Sequence, residues 1–561
     1  MFARCWLVCL VVCCVACRPE VARSEPKVIT ISVVSTNDVH GRISQLPLLG
    51  GYVDNLRRLR KQTGGAVLML DAGDIFQGTL ESNATEGAAM VRAYQALGYD
   101  AATLGNHEFD FGPVGPSPVP ASASDDPLGA LKQRVAQASF PFLNANLRRE
   151  DGQALAIPKL RASVLLRPAG VPVGVIGGVT EDVLRTTHAA NTRGIVVQRL
   201  GAALAAEAQR MRAAGARLVI ALVHAGGECR DLRASDDLHS CESNSEVFRL
   251  ARELPAGSVD VIVAGHTHAG LAQRVNGIAI IEAFSNGRAF GRVDVTFDAK
   301  KKPRVEIFAP TELCLDALDK PSCAKDASYA ERPVQRSERV LSAIAEDLKR
   351  AKVEREQLLG VTVTSPVWRE SRSESPLNNL VADLMLRASP GADAAFTNAG
   401  GVRIPLPVGP LRYGTVFEMF PFDNTFATLR LTAAQLAAIV AKNAAASNGI
   451  LALSGATAAV SCEGSELRVR LFTAKGELID PQQKLRVVTS DFLASSGDGL
   501  LAGMQLDKGA IEIARDRPIR DALLDGLREL PGGKLSGDDK QLFDRAHPRI
   551  RLATERPVRC R

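Results

Sequence analysis

Aromatic residues make up only 5% of this 561-residue chain, and histidine occurs just eight times. No basic run with interleaved aromatics is present, and the net charge of +6 is spread with both signs mixed, which argues against a nucleic-acid partner. Internal repeats are absent too, so a solenoid or array is excluded. Beyond the first residues, no apolar run is long enough to cross a bilayer, so no transmembrane helix is expected in the mature chain. What remains is 46% hydrophobic and 23% charged residues, the balance of a globular protein long enough for two or more domains.

In the N-terminus, "MFARCWLVCLVVCCVACRPE", one basic residue, Arg4, precedes an apolar run from Cys5 to Ala16. That run is too short to span a membrane and fits the hydrophobic region of an export signal. Val15-Ala16-Cys17 resembles a lipoprotein processing site, which would leave a lipid anchor on Cys17; ordinary cleavage near Ala16 or Ala22 is the plainer alternative. Either route leads out of the cytoplasm, to the periplasm or a membrane-anchored position. With Cys17 lipidated, six cysteines remain: Cys229, Cys241, Cys314, Cys323, Cys462 and Cys560. An even set in an oxidising compartment predicts disulfides, although six cysteines allow fifteen pairings. Short loops favour Cys229 with Cys241 and Cys314 with Cys323, leaving Cys462 for Cys560. No paired CxxC spacing supports the rival reading, a zinc site.

From residue 27 to about 310, "KVITISVV", "AVLML", "PVGVIGGV", "RLVIALV" and "SVDVIVA" read as buried strands. Between them, "LGGYVDNLRRLRKQTG" and "LGAALAAEAQRMRAAGA" read as amphipathic helices ending at glycine. The alternation predicts an α/β layered domain. The Pro/Ser/Ala-rich stretch 113–127 reads as a flexible surface loop. Residues 334–358 form a charged helical pattern that connects to a second α/β region. The boundaries follow: 1–26 export signal and linker, 27–325 first domain, 326–358 connecting helix, 359–561 second domain.

The scarce histidines are not scattered. "ISVVSTNDVHG" ends in Asp38 and His40, and "VLMLDAGD" ends in Asp74. "LGNHEFDFG" carries Asn106, His107 and Asp110; "VIALVHAGG" carries His224; "VIVAGHTHAG" carries His266 and His268. Five of the eight histidines therefore lie at or just past the ends of predicted strands, where open α/β sheets bind ligands. Imidazole and carboxylate together suit Mn, Fe, Zn or Co. Two such cations about 3.5–4 Å apart need a bridging carboxylate and serve in-line displacement at phosphorus. Asp74 is the expected bridge, since Gly73 lets the backbone approach closely. His188, His239 and His547 lie outside the set and read as surface residues, and Glu108 reads as a hydrogen-bonded loop brace.

The ordered set is similar to the calcineurin-like metallophosphoesterase signature, and residues 27–555 resemble the exported 5'-nucleotidase family. The resemblance implies an α/β fold: a layered β-sandwich flanked by helices, followed by a second α/β substrate-binding domain. It implies one metal on Asp38, His40, Asp74 and His268, and a second on Asp74, Asn106, His224 and His266. His107 would stabilise the phosphoryl transition state, with Asp110 orienting its imidazole and favouring its charged form. In the second domain, "DAAFTNAGGVR", "MFPFDNTF" and "VVTSDFLASSGDG" are similar to segments of the 5'-nucleotidase C-terminal domain. These imply substrate contacts from Asn398, Arg403, Phe422, Asn424, Phe492 and Asp498. The base would be sandwiched between Phe422 and Phe492, the ribose held by Asp498, and the phosphate approached by Arg403. Asn378 stands where the family usually has glycine, and Arg369 and Arg372 depart from its arginine spacing. Arg372 is the expected phosphate contact of the two.

The expected activity is two-metal hydrolysis of nucleoside 5'-monophosphates outside the cytoplasm. The same chemistry on 2',3'-cyclic nucleotides, nucleotide sugars or a sulfur-bound carrier is the alternative. A catalytically silent nucleotide-binding surface module is the reading from another class.

Overall fold

The computed structural model describes residues 28–560 apart from 116, 299–302, 316–322, 325, 326, 448 and 496. Cys17 and the expected export signal lie outside the described residues. Two six-stranded sheets pack face to face in the first half. One runs, in spatial order, Arg304–Glu312, Ala289–Phe297, Ile29–Thr36, Ala66–Asp71, Ala101–Thr103 and Phe142–Leu143. The other runs Gly270–Val275, Ile278–Ala283, Val261–Val263, Leu218–His224, Val173–Val179 and Ser163–Leu166. The central strands of each are parallel.

The continuous apolar runs follow from burial on both faces. In Leu218–His224, Leu218, Ile220 and Leu222 point between the sheets, while Val219, Ala221 and Val223 pack outward under the helices Leu200–Ala213 and Glu246–Glu253. Likewise Leu68 and Leu70 face the sandwich interior and Met69 faces the helices Leu46–Gln62 and Ala88–Leu97.

The charged stretch near 334–358 folds as the helix Glu338–Arg355. It is more than a tether, because Val340 and Ile344 belong to the same hydrophobic cluster as the helices of the first half. After it, a five-stranded mixed sheet runs Leu451–Ser454, Ala394–Asn398, Lys484–Ser490, Thr425–Thr432 and Ile511–Pro518. Helices Pro376–Arg387 and Ile519–Arg528 cover one face and Ala433–Ala445 the other. Three disulfides form: Cys229–Cys241 and Cys314–Cys323, the pairs favoured by loop length, and Cys462–Cys560, the pair left over. Among the described residues, no helix is long and apolar enough to cross a membrane.

Candidate active site

The parallel strands of the two sheets end at a common edge, and their loops deliver the polar residues there. Asp38 follows Ile29–Thr36, Asp74 follows Ala66–Asp71, Asn106 follows Ala101–Thr103, His224 closes Leu218–His224, and His266 follows Val261–Val263. Asp38, His40, Asp74, His266 and His268 all adopt positive φ, between +49° and +83°. Left-handed backbone at non-glycine residues costs on the order of 1–2 kcal/mol each, so five in one site mark a functional constraint. Two glycines make the close approach possible. Gly73 has φ +91°, and a Cβ on Gly105 would lie 2.2 Å from Asp74 Oδ1.

Two groups of ligand atoms converge, Asp38 with His40 and His268, and Asp74 with His224 and His266. The His40 Nδ1–H donates to the Gln77 carbonyl (3.0 Å), which leaves its Nε2 lone pair 3.1 Å from His268 Nε2. Asp38 Oδ2 accepts from Asn37 Nδ2 and the His266 amide. Its Oδ1 is buried without a hydrogen bond, 3.3 Å from His268 Nε2. In the second group, the His224 Nδ1–H donates to the Ala72 carbonyl (2.9 Å). Its Nε2 therefore faces Asp74 Oδ2 at 3.2 Å, Asn106 Oδ1 at 3.1 Å and His266 Nδ1 at 3.2 Å. Asp74 Oδ2 is also 3.9 Å from His40 Nε2, so this one oxygen lies between the two groups. Lone pairs gathered this closely, with few protons to separate them, are what divalent cations satisfy, and the mixed N/O donors fit the metals expected from sequence.

The electrostatics agree. Burial opposes ionisation of Asp38, but His268 and His224 outweigh it and hold the carboxyl well below its usual range. Burial pushes His224 down, yet the adjacent Asp74 carboxylate drives it up to about 10, so this pair strongly attracts positive charge. His40 is pushed well down by burial and by Arg403, and His266 down to about 4 by burial and His224; both shifts favour the neutral imidazole, the form a metal requires.

His107 lies beside these groups, its Nε2 4.0 Å from Asp74 Oδ2 and its Nδ1 2.6 Å from Asp110 Oδ2. Burial would drive this imidazole down, but Asp110 and then Asp74 raise it, so the ring is favoured as a cation. Glu108 accepts four backbone N–H groups, from Gly105, Asp74, Ile75 and Phe76, and so braces the loops that carry Asp74 and Asn106. The loop-brace reading of Glu108 describes this arrangement.

One crevice runs from these groups into the second half. Its walls include Asp74, Asn106, His107, Asp110, His266 and His268 on one side. On the other stand Asn398, Arg403, Phe422, Asn424, Phe492 and Asp498. Arg403 Nη2 donates to His40 Nε2 at 3.0 Å, and its guanidinium stands 5.8 Å from the Phe422 ring centre. Phe422 and His107 rings are 5.6 Å apart. Asn398 Nδ2 donates to Asp498 Oδ2 (2.6 Å), and burial raises Asp498 against that bond.

Three residues stand elsewhere than expected. Arg372 does not reach the crevice: its guanidinium is largely exposed and pairs with Glu228 and Glu242 on a neighbouring polar cleft. The acidic pair that flanks the Cys229–Cys241 disulfide captures it. Arg369 is the half-buried arginine, lowered by burial and by the like charge of Arg403 nearby. His188 is no surface residue; it lines the crevice and meets Asp491. The predicted loop 113–127 likewise reaches the crevice through Pro118, whose carbonyl accepts from Asn191. Asn37 and Glu282 were not singled out by sequence. Asn37 holds Asp38 and the Phe284 carbonyl, and Glu282 holds Thr267 between His266 and His268. Only the position of Asn37 beside Asp38 hinted at either.

The sequence profile of calcineurin-like phosphoesterases matches residues 31–270, and that of the 5'-nucleotidase C-terminal domain matches residues 352–505. Over both halves the chain is similar to the 5'-nucleotidase family. It is a metal-dependent phosphoesterase. Among its relatives is protein UshA of Yersinia enterocolitica, 26% identical over 513 residues, 85% of this chain and 88% of that protein. The 5'-nucleotidase of Vibrio cholerae is 26% identical over 442 residues, 71% of this chain and 72% of that one. The crystal structure of a 5'-nucleotidase precursor from Thermus thermophilus superposes with a TM-score of 0.73 at 24% identity, covering 94% of this chain and all of that one. Thermus thermophilus sulfate thiohydrolase SoxB shares the fold, with a TM-score of 0.67 at 17% identity, 94% of this chain and 97% of that one. The fold thus serves more than one named activity, and substrate choice must be argued from the site.

Proposed function

We propose that the chain releases phosphate from nucleoside 5'-monophosphates outside the cytoplasm. The observation that carries this reading is the single crevice with two chemically different ends. At one end are the converging metal-ligand groups, His107 and Arg403; at the other are Phe422, Phe492 and Asp498. A nucleotide has the matching polarity, with a dianionic phosphate and a flat base. Cations held by Asp38, His40, Asp74 and His268, and by Asp74, Asn106, His224 and His266, would supply the Lewis acidity and the activated water that hydrolysis of a phosphoester needs.

The chain's own groups do the rest. Asp110 keeps a proton on His107, so the imidazolium can donate to phosphoryl oxygens as charge develops on them. Arg403 brings a guanidinium, always charged and suited to bidentate contact with phosphate. Asn398 orients Asp498 towards vicinal hydroxyls, while the two phenylalanines stack on the base and exclude water. The extracytoplasmic setting is supported by the N-terminal apolar run and by three disulfides. A lipid on Cys17 would hold the enzyme at the membrane; the intact mass of the mature protein from membranes tests it.

The deciding experiment strips the purified chain of metal and reloads it with manganese. Phosphate release is then compared for AMP, a 2',3'-cyclic nucleotide and ribose 5-phosphate. Metal-dependent release is expected to be strongest from AMP. Equal release from ribose 5-phosphate would remove the nucleotide reading and leave the metal chemistry in place.

A further inference from the structure

We infer that His188 is a positioning residue that sets the base-stacking half of the crevice against the catalytic half. The inference rests on the nucleotide reading above and assigns a role to a histidine that neither metal group uses. His188 lies in the loop after strand Val173–Val179. Its neighbours in that loop brace the catalytic side: the Thr186 carbonyl accepts from Asn106 Nδ2 (3.3 Å), and Asn191 donates to the Phe109 carbonyl (2.9 Å). His188 instead reaches across the crevice, its Nε2 3.3 Å from Asp491 Oδ2. A carboxylate has no proton to give, so the Nε2–H donates. The other ring nitrogen, Nδ1, is buried and has no hydrogen-bond partner among the described residues. A histidine serving only its own loop would bond within that loop; this one bonds across the crevice.

Asp491 is the joint of the stacking site. Its Oδ1 accepts from the Thr425 amide (3.1 Å) and the Phe492 amide (2.9 Å), and its Oδ2 from the Thr425 hydroxyl (3.1 Å). Thr425 directly follows the segment that carries Phe422 and Asn424, and Phe492 directly follows Asp491. One carboxylate therefore ties together the two segments that bear the phenylalanines, and His188 anchors that carboxylate to the catalytic half. Loss of the anchor loosens the spacing between the stacked base and the phosphate centre. Only substrates that span both ends feel the loss.

The test measures steady-state kinetics of the metal-loaded, full-length enzyme on AMP and on ribose 5-phosphate, which lacks the base. His188→Ala is expected to raise KM for AMP about tenfold, the worth of one hydrogen bond to a charged group, with kcat little changed. Kinetics on ribose 5-phosphate and the melting temperature should stay at wild-type values. His188→Gln, which retains an N–H donor, should recover most of the AMP affinity. A parallel loss on both substrates, an unchanged KM for AMP in His188→Ala, or a glutamine variant no better than alanine would each overturn the assignment. A wild-type enzyme indifferent between AMP and ribose 5-phosphate would remove the nucleotide reading and this role with it.

Discussion

His107 and Glu108 are adjacent in sequence and opposite in use. The imidazole of His107 faces the crevice with Asp110 behind it, whereas the Glu108 carboxylate turns inward to four backbone amides. Replacing His107 with asparagine removes a charged donor aimed at the phosphate. Turnover should fall about 100- to 1000-fold with metal content unchanged, as for loss of one preorganised donor, measured by phosphate release and metal analysis. Glu108→Gln should do the reverse. An amide nitrogen would face N–H groups that need an acceptor, at a cost of about 1–3 kcal/mol in stability, and metal affinity should drop along with the melting temperature. Thermal denaturation with metal titration separates the two variants. The motif spelled out which residue types lie here, but not which way each one points. Asn37 and Glu282 were beyond reach for a related reason: they act on ligands through the second layer of hydrogen bonds, which has no spacing rule in sequence.

The strand-end loops were legible as elements because continuous apolar runs of β-branched residues stop abruptly at Asp, Gly and His. Their geometry depends on glycine where neighbouring loops touch. Gly105→Ala would place a methyl group 2.2 Å from Asp74 Oδ1, close to His224 as well. The loop cannot yield without moving the Asp74 carboxylate, whose Oδ2 lies between both ligand groups. The variant should therefore fold, with its far-ultraviolet circular dichroism kept, and lose both metal and turnover; retention of two metals per chain would contradict this account. The Pro/Ser/Ala stretch 113–127 shows the limit of composition. Its described residues form no helix or strand, as its composition implies, yet Pro118 is drawn against the crevice by the side chain of Asn191, a partner 73 residues away.

At the scale of the whole molecule, the reacting phosphate and the base would be held by different halves, and the contacts between those halves are specific. Glu418 of the second half meets Arg42, next to the His40 loop, and also Arg355 at the end of the connecting helix (2.8 Å), which in turn reaches Glu81 (2.7 Å). Asn83 donates to the Pro421 carbonyl at the crevice wall (3.1 Å). Product release should require these contacts to part. A disulfide formed between Asn83→Cys and Pro421→Cys is expected to lower kcat for AMP several-fold, with recovery on reduction, because opening motions often limit turnover. Unchanged turnover in the oxidised form would remove the opening step from the cycle.

The sequence by itself determined the two-half α/β organisation, the metal-type chemistry and the residues around His107, since each rests on local pattern: period, strand ends, and polar types beside glycine. It also paired the two short-loop disulfides, since short loops are the cheapest to close, and left the third pair by elimination. Only the tertiary structure decided that Arg372 is held outside the crevice by Glu228 and Glu242, that Arg369 lies nearer Arg403, and that His188 bridges to Asp491. These are encounters between chain segments separated by roughly a hundred residues or by a few hundred in most cases, where no local period applies. Their partners are chosen by how the sheets stack and which charges that stacking brings within reach.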